Sequence, residues 1–350
     1  MAVYRRVGYD APVALLVTSL LIGAFSPGRP VLAQATESSA GDAESAAAPY
    51  PDIPQMVTSF GAAIAGDQLY IYGGHTGRAH TYSREAQANI LQRLDLKTSK
   101  WKPLGKGPHL QGLAMVAHGG KLYRIGGFTA KNKEGEKHDL WSKATVDRYD
   151  PATEKWQTVA AMPEPRSSFD AAVIGDRIFV VGGWQMNGAE ESKWSKSAFS
   201  IDLAKKTPKW EALSEPPFQR RALSVAAHDG RIYAIGGMQK EGGPTTAVDV
   251  FDVAKRQWSK GPNLHGEPMN GFGSSAFATN GRLYVSTYDG TLQRLTPDGT
   301  KFEIVKQMDN ARFFHRMLPL SKTQLLTVGG ASMQTGKFDE VEIIDVGKSP

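Results

Sequence analysis

Short apolar runs ending in paired glycines recur along the chain: Leu69 to Gly74, Leu122 to Gly127, Ile178 to Gly183, Ile232 to Gly237 and Leu325 to Gly330. A sixth run, Leu283 to Tyr288, keeps the apolar spacing but lacks the glycines. Counted from the first residue of each pair, at 73, 126, 182, 236, 287 and 329, the periods are 53, 56, 54, 51 and 42 residues. Ahead of each run lies a segment of small residues, as in Ser59 to Ala65, Gly112 to His118, Ser168 to Ile174, Ala222 to His228 and Gly273 to Thr279. Turn residues such as Gly66 with Asp67, or Asn280 with Gly281, join the two, which predicts a tight hairpin. A third segment alternates apolar and polar positions (Ile90 to Leu96, Thr145 to Asp150, Ala198 to Leu203, Ala247 to Val253, Glu340 to Val346), and a fourth opens on Trp101, Trp156, Trp210, Trp258 or Phe302. Four antiparallel strands per unit, six times over at a period near fifty, predict an all-β, six-bladed propeller.

The spacing separates constant from variable parts of the unit. From each aromatic residue to the next pair is 25 to 29 residues, whereas from a pair forward to its aromatic is 14 to 29, so length varies between strands two and three. Those connections share one face of a propeller, and the insertions therefore decorate a single surface. Small residues in the first strands suit the crowding around a central channel. The last unit ends at Val346 with only four residues left. A fourth strand is thus expected from the amino end, within residues 46–56, closing the ring and covering edges that would otherwise be unpaired.

The glycine pairs after an apolar strand, with a Trp about 25 residues on, resemble kelch repeats over residues 57–346. The fifth copy departs by losing Gly-Gly and the sixth by lacking the Trp. The resemblance implies a kelch-type β-propeller whose binding surface is built from the strand two to three loops and the turns into the first strands.

Composition adds compartment and excludes chemistry. Arg5 and Arg6, the apolar run Ala11 to Phe25 and the small residues up to Ala33 predict a signal peptide over residues 1–33. A membrane span needs about 20 apolar residues, so no span is expected once the signal is removed. Residues 34–50, rich in Ala, Ser, Thr and acidic side chains, read as a disordered leader, and residues 51–350 as the propeller. A periplasmic or extracellular location follows. Lys and Arg number 41 against 35 Asp and Glu, spread along the chain, so nucleic acid is not an expected partner. With no cysteine, disulfides and thiolate metal sites are excluded. The copper radical oxidases that share the kelch propeller are excluded too, because their cofactor requires a cysteine cross-linked to tyrosine.

Candidate ligand-binding residues stand on the turns into the first strands: Arg166, Arg220, Arg221, Arg312 and His315, with Trp184 and His75 at the edge. Arginine forks on one rim suit a carboxylate, sulfate or phosphate. Ion pairing within the sheets is the competing role for the same arginines. Exposed aromatics beside basic residues, among them Tyr82, His138, Trp141 and Trp194, suit sugar rings or peptide side chains. His75 and His80 lack further ligands at a convincing spacing, so no metal and no cofactor is expected. The leading expectation is a monomeric recognition module for a protein or glycan, an anionic one fitting best. The alternative is a small carbohydrate enzyme like the secreted N-acetylneuraminate epimerases, with His315 beside Arg312 and Arg316 as its acid or base.

Overall fold

The computed structural model describes residues 50–347. The expected signal peptide and almost all of the leader lie outside the described residues. The described chain is all-β, apart from one 3₁₀ turn at Pro268–Gly271. None of its helices is long and apolar enough to cross a membrane.

Six principal antiparallel sheets follow one another along the sequence, five of four strands and a last one of three. The first comprises Gly61–Ala65, Gln68–Tyr72, Ile90–Asp95 and Lys100–Lys106, paired in that order. The innermost strands of the other five are Ala114–His118, Asp170–Ile174, Ser224–His228, Ser275–Thr279 and Arg316–Pro319. The apolar runs expected as second strands occupy that place in every sheet. Extra short strands arise in the insertions. Phe128–Ala130, Leu140–Ser142 and Asn187–Gly188 form a small sheet joining the insertions of sheets two and three.

The inner strands are tied to each other before they begin. Backbone N–H groups of Gly112, Ser168, Ala222, Gly273, Phe314 and Ser59 donate in turn to the carbonyls of Ser59, Gly112, Ser168, Ala222, Gly273 and Phe314, at 2.7 to 3.2 Å. The six residues form a closed cycle of hydrogen bonds. All six have φ between 52° and 62°, although only two are glycines. A left-handed residue other than glycine costs about 1 kcal/mol or more, so the cycle offsets strain at Ser59, Ser168, Ala222 and Phe314.

The glycine pairs have a related cause. The second glycine donates its N–H to the following sheet: Gly74 to Leu110 O, Gly127 to Arg166 O, Gly183 to Arg220 O, Gly237 to Gly271 O, and Gly330 to Val57 O of the first sheet. This approach leaves no room for side chains. A Cβ on Gly182 would stand 2.8 Å from the Arg220 carbonyl, and one on Gly236 2.4 Å from that of Gly271. Between neighbouring sheets lie the cores. Phe60, Ala62 and Leu69 of the first sheet share one with Leu318, Leu326 and Val328 of the last.

Residues 51–56, within the segment expected to supply the closing strand, are irregular in backbone. Pro51 and Pro54 have no N–H to give to a ladder. The segment is held instead by single contacts, Ile53 N–H to Asp339 O at 2.7 Å and Trp101 Nε1–H to Pro51 O at 3.1 Å.

Candidate functional site

Three of the four rim arginines lie inside the sheets, which corrects their expected place on the surface. Arg166, Arg220 and Arg312 are 0%, 1% and 1% exposed. Each occupies the position two residues before the left-handed one and donates from Nη1 to the carbonyl of the first glycine of its own sheet: Gly182 at 3.2 Å, Gly236 at 2.9 Å and Gly329 at 3.1 Å. The second strand ends at that carbonyl, so the guanidinium satisfies an acceptor that the ladder no longer reaches. Each Nη2 then meets a carboxylate, Arg166 with Glu164 at 3.2 Å, Arg220 with Asp249 at 2.6 Å and Arg312 with Glu342 at 2.6 Å. Aromatic faces cover them, with Phe218 4.0 Å from the Arg220 guanidinium carbon and Phe338 4.4 Å from that of Arg312. Burial lowers the pKa of Arg166 and Arg220 to about 10, which leaves both charged at neutral pH. These arginines brace their sheets.

His315 is also enclosed, at 2% exposure, with Nε2 2.7 Å from Ser286 Oγ. Burial first, then the charges of Arg312 and Arg316, push its pKa down to about 3. It is a neutral side chain in the sheet interior and offers no accessible acid or base. Next to it Arg316 reaches across the axis. Its Nη1 pairs with Asp170 Oδ1 at 2.9 Å, Nε donates to Phe60 O at 3.0 Å and Nη2 to Leu113 O at 3.2 Å. Asp170 Oδ2 in turn accepts from Val225 N–H at 3.1 Å. One ion pair thus links five of the six sheets and divides the central channel.

Arg221 differs from its neighbours. The residue directly before the left-handed position points the other way along the strand. Arg221 forms no ion pair among the described residues, and its buried Nε has no hydrogen-bond partner. Its guanidinium carbon lies 4.3 Å from the Trp184 ring centroid and 5.5 Å from that of Trp194. The two tryptophans face each other because the insertion of the third sheet folds into a hairpin pairing Trp184 with Trp194, their rings 5.8 Å apart. Gln219 Nε2–H donates to Trp194 O at 3.0 Å and holds that hairpin against the turn carrying Arg221. Burial lowers the Arg221 pKa, and the nearby Tyr82 hydroxyl partly offsets this. The Trp184 indole N–H is buried without a partner as well.

Tyr82 brings in the first insertion. Its ring packs 5.4 Å from His75, 6.0 Å from Phe128 and 5.3 Å from His138. His75 is 6% exposed and its Nε2 is 2.8 Å from Thr81 O, so it shapes this loop from beneath. Further around stand Phe272, Tyr288, Phe313 and Phe314, with Tyr288 stacked on Phe313 at 5.3 Å. The structure therefore brings together Arg221, Trp184 and, through Tyr82, His75, and separates them from Arg166, Arg220, Arg312 and His315. Sequence reasoning missed Phe128, Phe272 and Tyr288. The usable signal was position: each lies at a glycine pair or its replacement, or one residue before the left-handed site.

Residues 112–330 match the family described as the KLHDC2/KLHL20/DRC7 Kelch-repeats domain. Among similar proteins, the Kelch-like protein terF of Aspergillus terreus is 30% identical over 250 residues, covering 67% of this chain and 50% of that protein. Kelch-like protein 41b of Danio rerio is 30% identical over 174 residues, covering 47% and 26% respectively. The chain thus spans from a quarter to a half of the length of these relatives. Among solved structures, one described as the structure of YjhT superposes with a TM-score of 0.69 at 18% identity, over 86% of this chain and 98% of that one, which is a likeness of fold. Glycine pairs, sheet order and family match agree, and the chain belongs to the kelch-repeat family of β-propellers.

Proposed function

We propose that this chain is a six-bladed recognition propeller that binds a protein or glycan partner through its insertion-bearing face, with Arg221 as the anchor for an anionic group. In this reading the six sheets are the blades, and the amino-terminal segment latches the last to the first through Ile53 and the core around Phe60. The protein works as an exported monomer, after removal of residues 1–33.

The observation that carries the reading is the state of Arg221. A half-buried guanidinium with no carboxylate partner is costly, and here its faces are held by Trp184 and Trp194 while its edge stays open to a forked acceptor. An acidic side chain of a partner, or an acidic sugar, supplies that acceptor, and the flanking rings add contact area. Binding screens against acidic peptides and acidic glycans, using wild type beside Arg221→Ala, test it. Loss of a charge-assisted hydrogen bond costs about 1.5 to 3 kcal/mol, roughly tenfold or more in affinity. A ligand held equally by both proteins would place the site elsewhere. No observation favours the epimerase reading, because His315, its acid or base, is sealed inside the sheets.

A further inference from the structure

The Arg316–Asp170 pair divides the channel, and the compartment on the far side from the insertions has no role in the reading above. It is a cavity of about 380 Å³ walled by all six inner strands. Its wall is mostly alanine methyl groups and aliphatic side chains, with Arg316, Asp170 and Ser275 as its polar members. One wall residue breaks the pattern. At the repeat position where other sheets carry Ala63, Val116, Ala172, Ala226 and Leu318, the fifth carries Phe277, which is 39% exposed. A large aromatic ring left in contact with solvent inside a small-residue channel is an unpartnered apolar surface.

We propose that this compartment binds a small, uncharged, ring-sized amphiphile, its apolar body against Phe277 and the alanines and its polar end at the ion pair. Volume and lining match those of small-molecule pockets, which are concave, mostly apolar and carry few polar groups. The alanine side chains give water no hydrogen-bond partners, so the water they face is readily displaced by an apolar ring, while the unpaired edges of the inner strands and the ion pair keep polar groups for the ligand's oxygen. Charge decides the head group. Arg316 and Asp170 already neutralise each other, so an anionic or cationic ligand would enter the channel without a counter-charge. Three of the five guanidinium N–H groups of Arg316 are engaged, by Phe60 O, Asp170 and Leu113 O. The two that remain suit a neutral oxygen such as a hydroxyl or carbonyl.

The test uses the described protein with 2-naphthol as the neutral probe, and 2-naphthoate and naphthylmethylammonium as charged counterparts, read by calorimetry and ligand-observed NMR. Two variants accompany it: Phe277→Ala removes an exposed ring, and Ala227→Leu fills the half-buried wall of the neighbouring fourth sheet. Thermal unfolding of each checks that the fold is kept, and Ala117→Leu, at a half-buried wall position of the second sheet, replaces Ala227→Leu as the filling variant if that protein unfolds. Expected are binding of 2-naphthol to wild type, weakening of about fivefold or more in Phe277→Ala, loss in the filled variant, and much weaker binding of both charged probes. No binding of 2-naphthol at millimolar concentration overturns the proposal. Equal affinity across the variants, or charged probes binding as well as the neutral one, does so too. Because Arg221 lies on the other side of the ion pair, these outcomes are independent of partner recognition there.

Discussion

Arg220 and Arg221 are consecutive, chemically identical and opposite in fate. Arg220 lies inside its sheet, meeting Asp249 and the carbonyls of Gly236, Ala247 and Ala234. Arg221 projects onto two tryptophans and meets no acceptor from its side chain among the described residues. The alternation of an extended backbone separates them, since one step along the chain turns the side chain to the other face. The pair teaches that arginines clustered at equivalent repeat positions are not one charged surface. In the fourth sheet one position finishes its own ladder and the next presents chemistry.

The sharpest way to break this comparison is to substitute each in turn. In Arg220→Met the Asp249 carboxylate, 1% exposed, loses its buried partner and keeps only Lys260 at 2.8 Å. Removing one member of a buried pair costs about 3 to 5 kcal/mol, and urea unfolding should show a loss of that order. Arg221→Met leaves no carboxylate stranded and should change stability by about 1 kcal/mol or less. Equal losses in the two variants would show that Arg221 also braces the fold, and the division of labour would fail.

A second effect separates sheet interior from mouth by pH. With its pKa near 3, His315 is neutral in the folded protein, while the unfolded chain takes up a proton near pH 6.5. Between these values the unfolded state binds more protons, so this contribution is complete above pH 6.5 and is lost as pH falls toward 3. The slope approaches about 1.4 kcal/mol per pH unit below pH 6, a loss of roughly 2 kcal/mol by pH 4.5. His75 and His228 have lowered pKa values as well and add to the wild-type slope. In His315→Gln the slope over this window should flatten by about one proton's worth. An unchanged slope would mean that His315 titrates in contact with solvent, as a mouth residue would.

Much of the fold was legible because its causes are local. The glycine pairs mark places where the next sheet's backbone comes too close for a Cβ, and that constraint is visible in one residue type. The variable distances between strands two and three marked the insertions, and those insertions carry Tyr82 and Trp194. The cycle of left-handed residues was hidden, because Ser59, Ser168, Ala222 and Phe314 are not residue types that advertise that conformation. Asp170 was hidden for a different reason. Its partner Arg316 lies 146 residues away, and only the folded sheets bring the two together. The partners of Arg220 and Arg312, Asp249 and Glu342, stand on third strands about thirty residues away, and their register follows from the folded sheets.

The smallest expected effect sharpens the mouth itself. Trp184 lies 4.3 Å from the Arg221 guanidinium and Trp194 5.5 Å, so the two rings hold it with unequal strength. A cation over an exposed aromatic ring is worth about 0.5 to 1 kcal/mol. Removing the farther ring in Trp194→Leu should therefore weaken an anionic ligand only about two- to fivefold. The hairpin's backbone pairing, Trp184 with Trp194 and Gln185 with Lys193, does not depend on the indole and should persist. Trp184→Leu should cost more, because the nearer ring and its unpartnered indole N–H leave together. Titration of both variants with an acidic ligand identified by wild-type binding measures the order. If Trp194→Leu proves the weaker binder of the two, Arg221 is positioned chiefly by the second strand of the hairpin and the assignment of Trp184 as its main support is wrong.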